Sequence, residues 1–132
     1  MSKIVKFHKT KENFLTYVVK NEDTYSTLFP YWHCGYIKVS KSDVRHLDIF
    51  NLEVHGGVTF NTWADFDKSL IIGFDCAHLS DSPQYSVRPK SVEYCINELD
   101  KISKQIKRAI IRGRRKLIKT KVHQLRQSKS IK

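Results

Sequence analysis

The chain has 132 residues, 40% apolar and 28% charged, with a formal net charge of +11. That is enough for one domain with a modest core, and no stretch approaches the roughly 20 apolar residues that a membrane span requires. The N-terminal Met1-Ser2-Lys3-Ile4-Val5-Lys6 has no apolar h-region, so no signal peptide is expected; Cys34, Cys76 and Cys95 make no paired framework, which favours a reducing cytoplasm.

Residues 1–29 are mixed. Phe14, Leu15, Tyr17, Val18 and Val19 suit a short strand or a helix equally, and Asn21-Glu22-Asp23 reads as a turn. Pro30 breaks the chain before the aromatic cluster Tyr31-Trp32-His33. Residues 35–39 alternate and predict a strand, followed by a loop over 40–43. Residues 52–55 predict a second strand, interrupted at Gly56-Gly57 by a bulge or a close backbone approach and resumed by Val58-Thr59-Phe60. Residues 61–68 form a polar connection carrying Trp63 and Phe66. The unbroken apolar run 70–74 predicts a central strand buried on both faces, with Asp75-Cys76-Ala77-His78 emerging at its end. Residues 79–90, with Pro83 and Pro89, form a loop.

A helix follows. Ser91 is its expected N-cap and Glu93 sits where the helix dipole favours an anion. Val92, Cys95, Ile96, Leu99, Ile102, Ile106 and Ile110 keep a spacing of three to four. The stripe weakens through Gly113 and Leu117, where Gly113 is either a break or a close-packing point. The polar residues 124–132 read as a frayed end. Strands followed by a helix define an α+β fold: a small antiparallel or mixed sheet packed by a C-terminal amphipathic helix that runs on into a basic helical tail. The expected division is a single domain over 1–107 and an extension over 108–132.

The charge is confined to that extension. Thirteen of the 24 Lys and Arg residues lie from Lys101 onward and no Asp or Glu follows Asp100, whereas the first 100 residues hold eleven basic and all thirteen acidic residues. A near-neutral domain therefore carries a +13 tail. A merely solvated helix face has no need to exclude acids over 32 residues, so this run predicts contact with phosphate, and Lys107, Arg108, Arg112, Arg114, Arg115, Lys116 and Lys119 are the candidate polyanion-binding residues. Trp and Phe are absent from the segment, which argues against a membrane surface.

Two segments have the residue types for chemistry: His55-Gly56-Gly57-Val58-Thr59-Phe60, and the stretch from Gly73 to Asp81. The glycines let a ligand approach the backbone and free N–H groups for an anion. The candidate ligand-binding set is Tyr36, His55, Gly56, Gly57, Thr59, Asp75, His78 and Asp81, with His55, Asp75 and His78 as catalytic candidates. If the two strands pair, His55 lies near Asp75 or His78. A metal on His55, Asp75, Cys76 and His78 lacks any CxxC or HExxH spacing, so no metal is expected. Cys76 and His78 are too close in sequence for a nucleophile and its base. The plain alternative is that Gly56-Gly57 shapes the backbone, Cys76 fills the core, and Asp75 and Asp81 cap turns. Tyr31, Trp32 and Tyr36 suit base stacking or, more commonly, a small core.

These strings carry a resemblance. Cys34-Gly35-Tyr36-Ile37-Lys38-Val39, then Val54-His55-Gly56-Gly57-Val58-Thr59-Phe60, then Ile72-Gly73-Phe74-Asp75-Cys76-Ala77-His78-Leu79-Ser80-Asp81, and the helix from Val92 resemble an uncharacterised family of small bacteriophage and bacterial proteins over about residues 32–107. The chain departs from it at 40–44, where relatives carry a Pro-Gly-His-Pro-like loop, at Ser80, often Gly in relatives, and in its basic tail. The resemblance implies a phage setting and no particular activity.

The residues favour a binding protein over an enzyme: a phage-encoded cytoplasmic protein that grips a phosphorylated partner, a nucleotide signal or nucleic acid, to counter host defence, without a cofactor. Two alternatives stand beside it. One is a small nucleotide or nucleic-acid hydrolase using His55, Asp75 and His78, with or without a metal. The other is a direct inhibitor of a host enzyme, such as a defence protein, bound through the basic helix. An apolar stripe on a long helix would also suit a homodimer.

Overall fold

The computed structural model describes residues 1–22, 30–64, 67–77 and 89–130, with side chains to 128. The ambiguous N-terminal segment is a hairpin of β1 (Ser2–Lys9) and β2 (Leu15–Glu22), turned at Asn13, whose φ of 76° is the left-handed region that Asn tolerates. Asn21 and Glu22, expected in a turn, end β2, and Asp23 lies outside the described residues. The predicted strand at 35–39 starts earlier, as β3 (Tyr31–Val39). β4 is Phe60–Trp63 and β5 is Leu70–Asp75.

All pairings are antiparallel, in the order β1-β2-β3-β5-β4. β5 is therefore next to an edge, and β3 is the central strand. The edges are protected in different ways: β1 carries Lys3, Lys6 and Lys9 and a register shift between Ile4 and Lys6, while β4 has only four residues.

The loop expected at 40–43 contains a helical turn, α1 (Lys41–Val44), and a 3-10 turn covers Ile49–Asn51. The long helix α2 (Val92–Ser130) begins as expected: the Ser91 hydroxyl accepts the Tyr94 N–H at 3.1 Å. Its 39 residues span about 58 Å without a break at Gly113. Residues 124–130, read as frayed, continue the helix. The helix is likewise continuous across 107 and 108, and Ile110 is still buried.

Cys95, Leu99, Ile102, Ile106 and Ile110 face the sheet and meet Val18, Ile37, Val39, Leu70, Ile72, Phe74 and Cys76. Each fully buried aliphatic side chain contributes about 1.5–3 kcal/mol. Gly35 lets the layers close, since a Cβ there would lie 2.5 Å from the Phe74 ring and 3.3 Å from Leu99. On the β1 side, Ser103 donates to Thr10 Oγ1 at 2.7 Å and His8 meets Asp100 at 2.8 Å.

The predicted strand at 52–55 is not one. Leu52 and Val54 do turn inward against the core, but the backbone is satisfied by helix side chains. Gln105 accepts the Glu53 N–H and donates to the Glu53 carbonyl, both at 2.7 Å, and Glu98 accepts the His55 N–H at 2.8 Å. Two polar helix residues thus replace a neighbouring strand, which meets the requirement that backbone groups be paired without forming a ladder.

Candidate functional site

The two motif segments meet through their backbones at Thr59, Phe60 and Gly73, but the His55 and Asp75 side chains leave on different faces. His55 is docked on the helix: its Nδ1 is 2.8 Å from the Tyr94 hydroxyl and the two rings meet edge to face. Gly56 and Gly57, at φ 68° and 80°, complete a turn closed by the Gly57 N–H on the Val54 carbonyl at 2.8 Å. Thr59 then donates its N–H to the Gly73 carbonyl at 3.0 Å and leads into β4. The Gly pair therefore shapes a turn, not a bulge within a strand.

Asp75 lies on the other face of the sheet. Phe74 and Cys76, its neighbours along the strand, are both in the core against α2, and alternation sends Asp75 the opposite way. Its carboxylate accepts the Ala77 N–H at 3.0 Å. The expected proximity of His55 to Asp75 fails because the sheet separates them. His78 and Asp81 lie outside the described residues. Among the described residues no group of three His, Cys, Asp or Glu side chains is placed to hold a metal ion.

The sheet face opposite α2 carries a feature that sequence reasoning missed. Phe7, Tyr17, Tyr36, Gly73 and Phe60 stand in one row across all five strands. Tyr17 and Tyr36 stack at 5.0 Å, Phe60 meets Tyr36 edge-on at 5.4 Å, and Phe7 tilts toward Tyr17 at 6.4 Å. Gly73 makes the row continuous, because a Cβ there would lie 2.6 Å from the Tyr36 ring. The Tyr36 ring thus packs between the rings of Tyr17 and Phe60. Tyr31 and Trp32, expected as core, are half-buried, and Tyr31 packs edge-on against His33.

Beside this row Cys34 accepts a hydrogen bond from Asn21 Nδ2 at 3.2 Å. Burial, reinforced by the Asp75 carboxylate, pushes its thiol up to about 11, so it stays protonated at neutral pH and is a poor nucleophile. Burial also raises the Tyr36 and Tyr17 hydroxyls. Cys76 is in the core.

The basic helix does build a site. The segment 45–52 and the helix face 105–120 enclose an open cleft of about 1180 Å3. Arg45, Arg108, Arg112, Arg115, Lys116 and Lys119 line it, and Asp48 is the one acid on its wall. Arg114 does not line it: its guanidinium holds Asp43 at 2.9 Å and so pins α1 to the helix. His46 packs directly on Gly113, where a Cβ would lie 2.2 Å from the ring, so Gly113 is a close-packing point. Lys107 is exposed away from the cleft. Five of the seven sequence-predicted cations therefore converge on one groove. Arg45 joins them from the segment after α1, with no signal in the sequence.

No known protein family, curated protein or solved structure matches this chain. No helix among the described residues is long and apolar enough to cross a membrane.

Proposed function

We propose that this protein binds a polymeric phosphate ligand, a nucleic-acid backbone, in the cleft between residues 45–52 and α2. The observation that carries this reading is the convergence of six Lys and Arg side chains on one groove with a single acid. From Arg108 to Lys119 the cationic row runs about 16 Å along the helix, longer than one nucleotide can contact and suited to several successive phosphates. Arginine's planar fork binds phosphate in two-point fashion, which suits the three arginines of the row and Arg45 opposite them. In the phage setting that the motif strings imply, the protein would act in the host cytoplasm by holding a nucleic acid on which host defence depends. Cys34, Cys76 and Cys95 are buried and form no disulfide with one another, which fits a reducing compartment.

The test is a titration of labelled single- and double-stranded oligonucleotides across a range of salt. Binding should weaken linearly in log–log form, with a slope of about −0.7 to −0.9 per phosphate engaged. Arg108→Ala/Arg112→Ala/Lys116→Ala should weaken it and flatten the slope by about 2–3, with an unchanged circular-dichroism spectrum. Equal affinity and equal slope for the triple variant would sink the proposal.

A further inference from the structure

Beyond Gly113 every described side chain of α2 through residue 128 is exposed. Ile111 just before Gly113, and Ile118, Val122 and Leu125 on this arm, are exposed aliphatic residues, Ile118 at 61% and Leu125 at 64%. Their spacings of seven, four and three are those of heptad a and d positions, with Arg115 the polar residue between them. At 3.6 residues per turn they form a stripe about 60° wide. This stripe is not the core stripe, which continues from Ile110 toward Leu117, and it borders the cleft face, sharing Arg115 with it. It is a third face of the same helix.

The positions flanking it are cationic except Ser128. Arg112, Lys119 and Arg126 fall on one side and Arg114, which also holds Asp43, and Lys121 on the other, and the helix beyond Asp100 contains no acid. In a coiled coil these e and g positions choose the partner. A second copy of this chain would bring like charges together along both flanks, which opposes self-pairing. A nucleic acid would use the cations and leave the aliphatic residues in water. A lipid surface takes a broad apolar face, whereas this seam is narrow and has no aromatic residue.

We infer that residues 111–128 are a docking site for an acidic amphipathic helix of a partner protein, with aliphatic residues in its seam and Glu or Asp at its flanks. The site goes beyond the phosphate cleft, with which it shares Arg112, Arg115 and Lys119, and its aliphatic seam lies outside the cleft. It spans about 21 Å, two heptads, so charge complementarity must add to the packing and the contact is salt-sensitive.

The experiment uses the full chain and a labelled three-heptad peptide with Leu at a and d and Glu at e and g. A control peptide has the same composition with the seam scrambled. Binding is read by anisotropy. The ordered peptide should bind at least tenfold tighter than the scrambled one, and Ile118→Gln/Val122→Gln/Leu125→Gln should remove that preference. The arm is solvent-exposed, so these changes should leave the thermal midpoint and oligonucleotide binding as they are, which separates this site from the cleft. Equal binding of both peptides, or an ordered-peptide preference that survives the triple variant, overturns the inference. It is also overturned if the triple variant instead abolishes self-association in sedimentation, or binding to anionic vesicles, with no peptide preference.

Discussion

Gly113 gives the sharpest test of how the cleft is built, because two effects there have opposite signs. Replacing an interior helical Gly by Ala ordinarily stabilises by about 1 kcal/mol. Here the new Cβ would lie 2.2 Å from His46 Nδ1, 2.5 Å from its Cγ and 2.9 Å from its Cβ. The last of these is the root of the side chain, so a rotamer change alone does not relieve the overlap and the segment 45–52 must move off the helix. Overpacking of this kind costs about 1–3 kcal/mol, so Gly113→Ala should be neutral to about 2 kcal/mol destabilising despite its propensity gain. His46→Ala alone should cost under about 1 kcal/mol, and the double variant should recover the helix gain. The expected coupling between the two sites is about 1–3 kcal/mol, within the range for residues in contact. Urea unfolding at constant m-value measures all four corners of the cycle. Gly113→Ala should also weaken oligonucleotide binding, since it displaces the wall that carries Arg45. If Gly113→Ala raises stability by the full propensity gain and shows no coupling to His46, the packing argument is wrong.

Other consequences follow from the same packing. Ile106 is fully buried between helix and sheet, so Ile106→Ala should cost about 2–5 kcal/mol in the same urea assay. Gln105→Ala removes both hydrogen bonds to the Glu53 backbone; it should cost about 1–2 kcal/mol and accelerate amide exchange at Glu53 and His55 before any global opening. The Cys34 thiol is raised from an ordinary 9.0 to about 11, so the unfolded chain loses this proton first. Stability from this group is complete below pH 9 and is lost as pH rises through 11. Alkaline unfolding midpoints should therefore fall over that window, and Cys34→Ala should flatten the fall, leaving the part due to the raised tyrosines.

What could be read from the sequence was the part encoded by near neighbours. The stripe Cys95, Leu99, Ile102, Ile106 and Ile110 repeats within single helical turns, and the Ser91 cap is local, so α2 was legible from both. The segment 52–55 misled because alternation reports which side chains are buried, not what pairs with the backbone. Its partner Gln105 lies 52 residues away. The row Phe7–Tyr17–Tyr36–Phe60 was hidden for a related reason. Its members come from four strands, and only the register across Gly73 brings them into line. In the cleft, the helix cations were legible as composition. Arg45 was not, because its position depends on Arg114 holding Asp43 and on His46 seating against Gly113.

The charge of the tail has a structural cost that bears on function. Lys104 and Arg108, Arg108 and Arg112, Arg112 and Lys116, and Arg115 and Lys119 are like-charged pairs four residues apart. Each destabilises an isolated helix by about 0.2–0.5 kcal/mol. The first turns tolerate this because Ile102, Ile106 and Ile110 anchor them on the sheet. Past Gly113 no such anchoring exists among the described residues, and the arm's helix rests on propagation from the anchored part. An anion seated on the cleft face, or an acidic helix seated on the seam, would remove part of that repulsion. By linkage, whatever binds the helical arm and not its unfolded form stabilises the helix. A single helix thus presents three faces: an apolar one on the sheet, an arginine-rich one on the cleft, and an aliphatic seam bordered by cations. Excluding every acid after Asp100 weakens the free arm and strengthens both proposed complexes, which is the arrangement expected of an element whose order is completed by its partner.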